Sequence, residues 1–373
     1  MSSRIRKLSA KGIAALGSLA LVGVAGVGSA SAQDIPELAV PADKDWAHDW
    51  TSMVFPSRIG GFERDGISQF EERQTNVVSQ YFDDSSQTIL SIYIYRPGNP
   101  DTAVWFDRAL IPIGAAEQYG SVDLDRMKIG TFAPTGGVAE SGMFAVLAVD
   151  GNFRSTALSM YRAGEWLVKV RISSRTLTVI EMDALRRDIE RSLPKMEGLD
   201  SDQAYFIEEC QTAMTAGQAI PYNDPKGDIA LAVEASISVA AARLDDNVEG
   251  APAQSVYCRQ GQRRDQLNIY RLNESVDSYY TAIGDAGSGF SVFAKSLYGA
   301  EPGGESAVEV YRVQSADGLN TNVHRPFVGL PSVQQAADAV YRFPGLAQVS
   351  RPLGDDETNI SLLTPPESSV TND

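Results

Sequence analysis

The chain has 373 residues, of which 32 are basic and 48 are acidic, so its formal net charge at neutral pH is −16. This charge disfavours nucleic-acid binding, because contact with phosphates needs clustered Lys and Arg. Two Cys and two His cannot build a disulfide-dense scaffold, or a four-ligand zinc site with ligands left over. With 43% hydrophobic residues, the chain is long enough for one large or two ordinary domains.

The first 32 residues have the pattern of a secretory signal peptide. Basic residues occur at four of the first 11 positions, a small-residue apolar stretch follows at 13–27, and Ala-Ser-Ala ends at Ala32. We therefore expect cleavage between Ala32 and Gln33. A transmembrane anchor is the alternative, but about 15 helical residues span roughly 22 Å, less than the ~30 Å hydrocarbon core. No later stretch is apolar enough to span a bilayer, so we expect a periplasmic or secreted mature chain.

An N-terminal arm is predicted at residues 33–54. Its first part has two prolines and no hydrophobic period, whereas Trp46, Trp50 and Met53 recur at the three- and four-residue spacing of a short amphipathic turn. Aromatic residues are dense here, at Trp46, Trp50, Phe55 and Phe62. They are expected to cover the core of the first sheet or, if they stay exposed, to form a partner-binding patch.

A first α+β domain is predicted at residues 55–198. Alternating and β-branched patterns predict five strands and two helices. The predicted strands are 77–82, 89–95, 143–149, 155–162 and 166–173; the predicted helices begin near Asp101 or Thr102, with a kink or end at Pro112, and at Thr178. The order of these elements, an antiparallel sheet with packed helices, resembles the α-β-α sandwiches of the PsbP type. The resemblance is one of topology and implies a fold only.

A second α+β domain is predicted at residues 202–350, followed by a disordered acidic tail at 351–373. The predicted strands are 255–259, 267–272, 290–294 and 307–313, with a last helix at 332–341. The Ala-rich segment 228–243 fits a helix by composition and a strand by its alternation, and both assignments stay open. The tail is poor in apolar residues and rich in Pro, Ser, Thr, Asp and Glu, a composition that does not offset the entropy of ordering.

The reactive residue types are few and poorly spaced for catalysis. In an oxidising compartment Cys210 and Cys258 predict a disulfide, with two buried thiols as the alternative. His48 lies near two acids, yet one turn without a further ligand cluster is poor metal geometry, so we expect no metal and no cofactor. His324 is expected to end a strand. Without a G-x-S-x-G elbow, neither His predicts a Ser-His-Asp hydrolase.

These patterns favour an exported, soluble bacterial envelope protein that acts as a non-enzymatic binding or assembly module. The expected partner is a protein or another envelope component, and no nucleic acid. The alternative is a hydrolase that uses carboxylates alone, since 48 acidic residues supply ample candidates. A deep pocket with two facing carboxylates of raised pKa would favour the enzyme, whereas a flat apolar patch around Trp46 to Phe62 would favour the module.

Overall fold

The structure of the protein is a computed structural model. It describes residues 36–71, 73–214, 216–222, 255–264, 266–298, 308–350, 353–354 and 358–363, together with Val233 and Ser236. The predicted signal peptide, the proposed cleavage site between Ala32 and Gln33, nearly all of segment 228–243 and the tail after residue 363 lie outside the described residues.

The described part of the N-terminal arm contains a small antiparallel hairpin rather than an amphipathic helical turn. Strand β1 (Trp46–Ala47) pairs with β2 (Val54–Phe55). The aromatic spacing that suggests a helix instead places Trp46 opposite Phe55, and the two rings stack with their centroids 5.5 Å apart. A cross-strand aromatic pair stabilises a short hairpin in the way that residues one turn apart stabilise a helix.

The first half of the chain builds an antiparallel sheet from eight of the described strands, in the spatial order β3-β4-β5-β6-β10-β9-β8-β7. These strands are β3 (Arg58–Ile59), β4 (Phe62–Gln69), β5 (Asn76–Asp83), β6 (Thr88–Tyr95), β7 (Val122–Phe132), β8 (Gly142–Val149), β9 (Ser155–Ala163) and β10 (Trp166–Ser174). Each of the five predicted strands is confirmed, with ends that differ by a residue or two. The β-branched and aromatic residues of β6 suit this central position, where β5 and β10 pair with it on both sides.

Two helices cover the two faces of this first sheet. Helix α1 (Thr102–Ala115) begins at Asp101, whose side chain accepts a hydrogen bond from the Val104 N–H at 2.9 Å, and it continues through Pro112 rather than ending there. Helix α2 (Val179–Ser192) begins with a capping box formed by Thr178 and Glu181. A short 3-10 turn, Glu117–Tyr119, leads from α1 into β7.

The second half forms a ten-stranded sheet from described residues, in the order β11-β13-β14-β15-β16-β17-β18-β19-β20, with β12 paired to β18. These strands are β11 (Glu208–Glu209), β12 (Ile220–Pro221), β13 (Tyr257–Arg259), β14 (Leu267–Leu272), β15 (Tyr279–Ile283), β16 (Ser288–Tyr298), β17 (Val308–Ala316), β18 (Asn320–Val328), β19 (Ala347–Ser350) and β20 (Asn359–Leu362). Helix α3 (Val333–Tyr341), also begun by a capping box, packs on this sheet through Ala336 and Ala339.

Helix α1 lies between the two sheets and belongs to both of their cores. Its Trp105 ring makes edge contacts with Tyr95 of the first sheet and with Tyr280 of the second, with centroids 6.5 and 6.4 Å apart. Ten of its residues are buried, on all sides of the helix. Apart from Thr102, Asp107 and Arg108 these buried residues are apolar, as expected for a helix that is enclosed on all sides. The predicted division into domains at 55–198 and 202–350 stays a prediction, because the two sheets share this core.

The expected α+β class with two helix-packed sheets, including the PsbP-type sandwich, is wrong. The described part of the chain is 42% strand and 15% helix, and large many-stranded sheets dominate it. The sequence patterns miss whole strands. Strand β7 is an edge strand in which Asp123 and Lys128 interrupt the apolar alternation, and β18 contains Pro326. Edge strands tolerate charges, and Pro is tolerated where the register shifts, as it does here between β17 and β18.

The predicted disordered tail at 351–373 is wrong in one segment. Residues Asn359–Leu362 form β20, which pairs with β19 and ends the second sheet. The composition of the whole tail suggests disorder, but the local run Ile-Ser-Leu alternates as a strand does.

Candidate functional site

Polar chemistry concentrates where α1 meets the second sheet. Asp107, which is almost fully buried, accepts hydrogen bonds from Arg259 Nη1, Arg263 Nε and Tyr270 Oη, each at 2.8 Å. Burial and the neighbouring Asp107 carboxylate raise the pKa of Tyr270 far above its usual value, so its hydroxyl stays protonated as a donor. All three donors come from the second sheet and its loops, so this carboxylate joins the two halves of the molecule.

The next residue, Arg108, extends the same junction. Its guanidinium donates to the carbonyl oxygens of Gly284 at 2.6 Å and of Arg264 at 2.7 Å. From the first sheet, Lys169 forms a buried ion pair with Asp285 at 3.0 Å, and its ammonium lies 4.4 Å from the Tyr93 ring centroid. These charged groups are satisfied by partners within the chain, which favours a structural role over catalysis.

A second buried charged cluster lies between α2 and the first sheet. Arg186 Nη1 donates to both oxygens of Glu190 at 2.6 Å, and its Nη2 donates to Asp183 Oδ1 at 2.8 Å. Burial raises the pKa of Glu190. For Asp183, hydrogen bonds from Lys128 and Arg186 outweigh burial and lower the pKa. Two carboxylates with opposite pKa shifts are typical of an acid–base pair, but Arg186 separates them here and their side chains are less than a tenth exposed.

The two histidines are also buried. His48 lies against Trp166 and hydrogen-bonds through Nε2 to the Gln74 carbonyl. His324 lies inside β18 rather than at its end, and its Nε2 is 2.8 Å from Ser315 Oγ, the pairing used in Ser-His hydrolases. Burial lowers the pKa of His324 to about 4, far from the near-neutral value of an effective general base. We therefore assign this pair to the packing of the second sheet.

Two clefts are present on the first half of the molecule. One, of about 820 Å³, lies beside the start of α2 and is lined in part by Asp123, Asp150 and Arg154. Hydrogen bonds from Ser121 lower the pKa of Asp150, so this carboxyl is an ionised acceptor rather than a general acid. The other, of about 350 Å³, lies between residues 136–138 and 195–201. The clusters described above do not line either cleft.

The sequence-predicted site residues within the described part of the chain are the two cysteines and the four aromatic residues near the N-terminal arm. Cys210 and Cys258 form a disulfide, with their Cα atoms 5.0 Å apart. The aromatic residues do not form one exposed patch. Phe55 and Phe62 are buried in the first core, Trp46 is half-buried against them, and Trp50 is 39% exposed. Among the described residues, no group of His, Cys, Asp or Glu has the arrangement of a metal site.

A sheet edge formed by β20 is the feature that sequence analysis does not anticipate. Among the described strands, β20 is the last of the second sheet, and its four residues are all exposed. Ile360 and Leu362 are 45% and 53% exposed, although β19 beside them has buried Ala347 and Val349. The missed signal is the Ile-Ser-Leu alternation inside an otherwise polar tail. The contacts between α1 and the second sheet are also not anticipated; the sequence feature that indicates them is the pair of charged residues Asp107 and Arg108 within an otherwise apolar helix.

Comparison with protein-family models, with curated proteins and with solved structures finds no match to the chain. None of the helices in the described part of the chain has the length and apolar composition needed to cross a bilayer.

Proposed function

We propose that this protein is a non-enzymatic binding or assembly module of the bacterial envelope, exported by its N-terminal signal. The observation that carries the proposal is the outer edge of β20, with which no further described strand pairs and where Ile360 and Leu362 are exposed. Exposed apolar side chains beside unpaired backbone groups are typical of protein-docking surfaces. Phe343, which is 59% exposed, lies two residues before Gly345, and Gly345 adjoins the Leu363 side chain.

Export is supported by independent features. The pattern of residues 1–32 is that of a cleavable signal, and the chain uses both of its cysteines in one disulfide. Disulfides persist in oxidising compartments such as the periplasm and the extracellular medium. A net charge of −16 keeps such a protein dispersed and makes anionic lipid an unfavourable partner.

The alternative of a carboxylate hydrolase gains no support from the described site geometry. Asp183 and Glu190 both bind Arg186 on the buried side of α2. In the larger cleft, the lowered pKa of Asp150 keeps that carboxyl ionised, so Asp150 is not a proton donor. A glycosidase needs two facing carboxylates, one of them protonated, on either side of a bound substrate. The charged clusters instead hold the helices to the sheets.

A capture experiment with matched variants tests the proposal. The full chain is immobilised and exposed to bacterial envelope extract, alongside Phe343→Ser, Ile360→Ser and the control Val138→Ser. Val138 is 95% exposed on the first half of the molecule, so the control makes the same kind of change far along the chain from β20. We expect a partner retained by the wild type and the control and lost by the other two. Equal retention by all four proteins, or none by the wild type, would contradict the proposal.

A further inference from the structure

His48 connects the loop between β1 and β2, residues 48–53, to the first sheet. The residue is only 2% exposed. Its Nε2 lies 2.9 Å from the carbonyl oxygen of Gln74, two residues before β5, and its ring centroid lies 4.9 Å from the ring of Trp166, the first residue of β10. One imidazole therefore joins this loop to two separate parts of the sheet.

The hydrogen bonds of His48 fit the neutral imidazole. A carbonyl oxygen can only accept, so Nε2 carries the proton and donates to Gln74. Nδ1 then accepts from the Thr51 hydroxyl at 3.0 Å, and the oxygen of that hydroxyl accepts the Met53 N–H at 3.2 Å. A proton on Nδ1 would make it a donor, so the Thr51 hydroxyl would have to reverse and accept both N–H groups. The loop is therefore built around an uncharged ring.

Burial opposes a positive charge at this position. Desolvation lowers the pKa of His48 below its usual 6.5, and it outweighs the Gln74 hydrogen bond and the Asp49 carboxylate, which both raise the pKa. The described charged residues of the segments around His48 are Asp45, Asp49, Glu71, Arg73, Glu165 and Glu197. Of these, Asp49 is the one whose charge acts on His48.

Other contacts also dock the loop, so His48 is one contribution among several. Trp50 Nε1 donates to the Arg73 carbonyl at 2.8 Å, and Gln74 Nε2 donates to Asp49 Oδ2 at 2.9 Å; both hydrogen bonds are exposed. Met53, at the end of the loop, is fully buried in the first core. Protonation of His48 is therefore expected to weaken the docking of the loop and not to unfold the sheet.

We propose that His48 makes the docking of residues 48–53 sensitive to acid: protonation of its imidazole releases the loop from the start of β5 and exposes the ring of Trp166 to solvent. Trp166 is 8% exposed while the loop is docked. The inference concerns a contact within the first half of the molecule and does not depend on the proposed binding role of β20.

The sign of the effect follows from proton linkage. The released loop binds a proton with the usual His pKa of 6.5, whereas the docked loop binds it only at lower pH. Below pH 6.5 the released form therefore binds more protons, and each unit of pH shifts the equilibrium towards release by about tenfold at most. This dependence ends where the docked ring itself becomes protonated.

Amide hydrogen exchange of the full-length chain, followed by mass spectrometry and corrected for the intrinsic pH dependence of exchange, measures the docking. We expect the protection of residues 48–53 to fall about tenfold between about pH 7.5 and 5 in the wild type. Residues 167–172 of β10 report global unfolding and are expected to keep their protection. An equal fall in both segments, or no fall in residues 48–53, would overturn the inference.

Two matched variants identify the titrating group. His48→Gln keeps an N–H donor for the Gln74 carbonyl but does not titrate, so its loop protection should be independent of pH. His324→Gln changes the other His of the chain, which lies in the second sheet, and should behave as the wild type does. A pH-dependent fall that persists in His48→Gln, or that disappears in His324→Gln, would contradict the assignment.

Glu71 needs a control of its own, because burial and the neighbouring Asp317 raise the pKa of its carboxyl. Glu71→Gln is expected to leave the pH dependence of the loop unchanged, and its loss in this variant would overturn the role of His48. If His48→Gln lacks loop protection even at neutral pH, an NMR titration of the His ring protons in the wild type decides. A fall in protection that follows the titration of His48 supports the inference, and a fall at another pH refutes it.

Discussion

Replacing Asp107 by Ala is the strongest test of how the two sheets are joined. The substitution removes the acceptor shared by Arg259, Arg263 and Tyr270. The Arg259 side chain is only 12% exposed, so its charge would be left nearly buried and unpaired, a loss worth about 3–5 kcal/mol in comparable pairs. Arg263 is 47% exposed and adds no more than about 1 kcal/mol, because solvent screens it.

We expect Asp107→Ala to lower the free energy of unfolding by about 3–5 kcal/mol, a large share of the 5–15 kcal/mol typical of a folded protein. Urea unfolding followed by tryptophan fluorescence measures the loss, since Trp105 lies two residues away in α1. Asp188→Ala is the matched control, because its ion pair with Arg191 on α2 is exposed and contributes about 0–1 kcal/mol.

A double variant, Asp107→Ala with Arg259→Met, separates two contributions to the lost stability: the missing ion pair and the cost of leaving the Arg259 charge buried without a partner. Removing the unpaired guanidinium is expected to restore part of the lost stability, since the Met side chain is apolar and of similar length. If Asp107→Ala costs less than about 1 kcal/mol, as its control does, the reasoning that treats this junction as a stabilising network is refuted.

Two further predictions concern stability. Replacing Cys210 and Cys258 with Ser opens a loop of sequence separation 48, and chain entropy predicts a loss of about 4 kcal/mol in urea unfolding; a loss below 1 kcal/mol would contradict the entropic account. Burial lowers the pKa of His324 to about 4, so between about pH 6.5 and 4 the unfolded chain binds a proton that the folded chain does not, and stability falls as the pH falls. His324→Gln should remove about 2–3 kcal/mol of this dependence between pH 7 and 4.5, and an unchanged pH profile would count against it.

Local sequence patterns predict the strands and helices of the first half because each carries its own signal. Strand β6 alternates and follows a clear turn, α1 begins at the capping residue Asp101, and α2 begins at Thr178. Strands β7 and β18 have no such signal, because charge in one and Pro326 in the other are compatible with strands only at an edge or a register shift. Their omission is a main reason why the fold class is wrong.

The candidate sites depend on contacts that local patterns do not encode. The pairing of Cys210 with Cys258 is predictable because the chain has no other Cys. The partners of Asp107 lie more than 150 positions away in the chain, so spacing along the sequence carries no information about them. Ile360 lies in a tail whose overall polar composition predicts disorder, so the four-residue strand that pairs with β19 is not predicted.

Because α1 is enclosed by both sheets, the core around α1 cannot be completed until the second sheet has been synthesised. The first sheet is complete in sequence by Ser174, yet strands β14 and β15, which cover the far side of α1, begin almost 100 residues later. Until β14 and β15 are synthesised, the side of α1 that carries Trp105 and Asp107 has no second sheet to cover it, and both side chains are exposed to solvent.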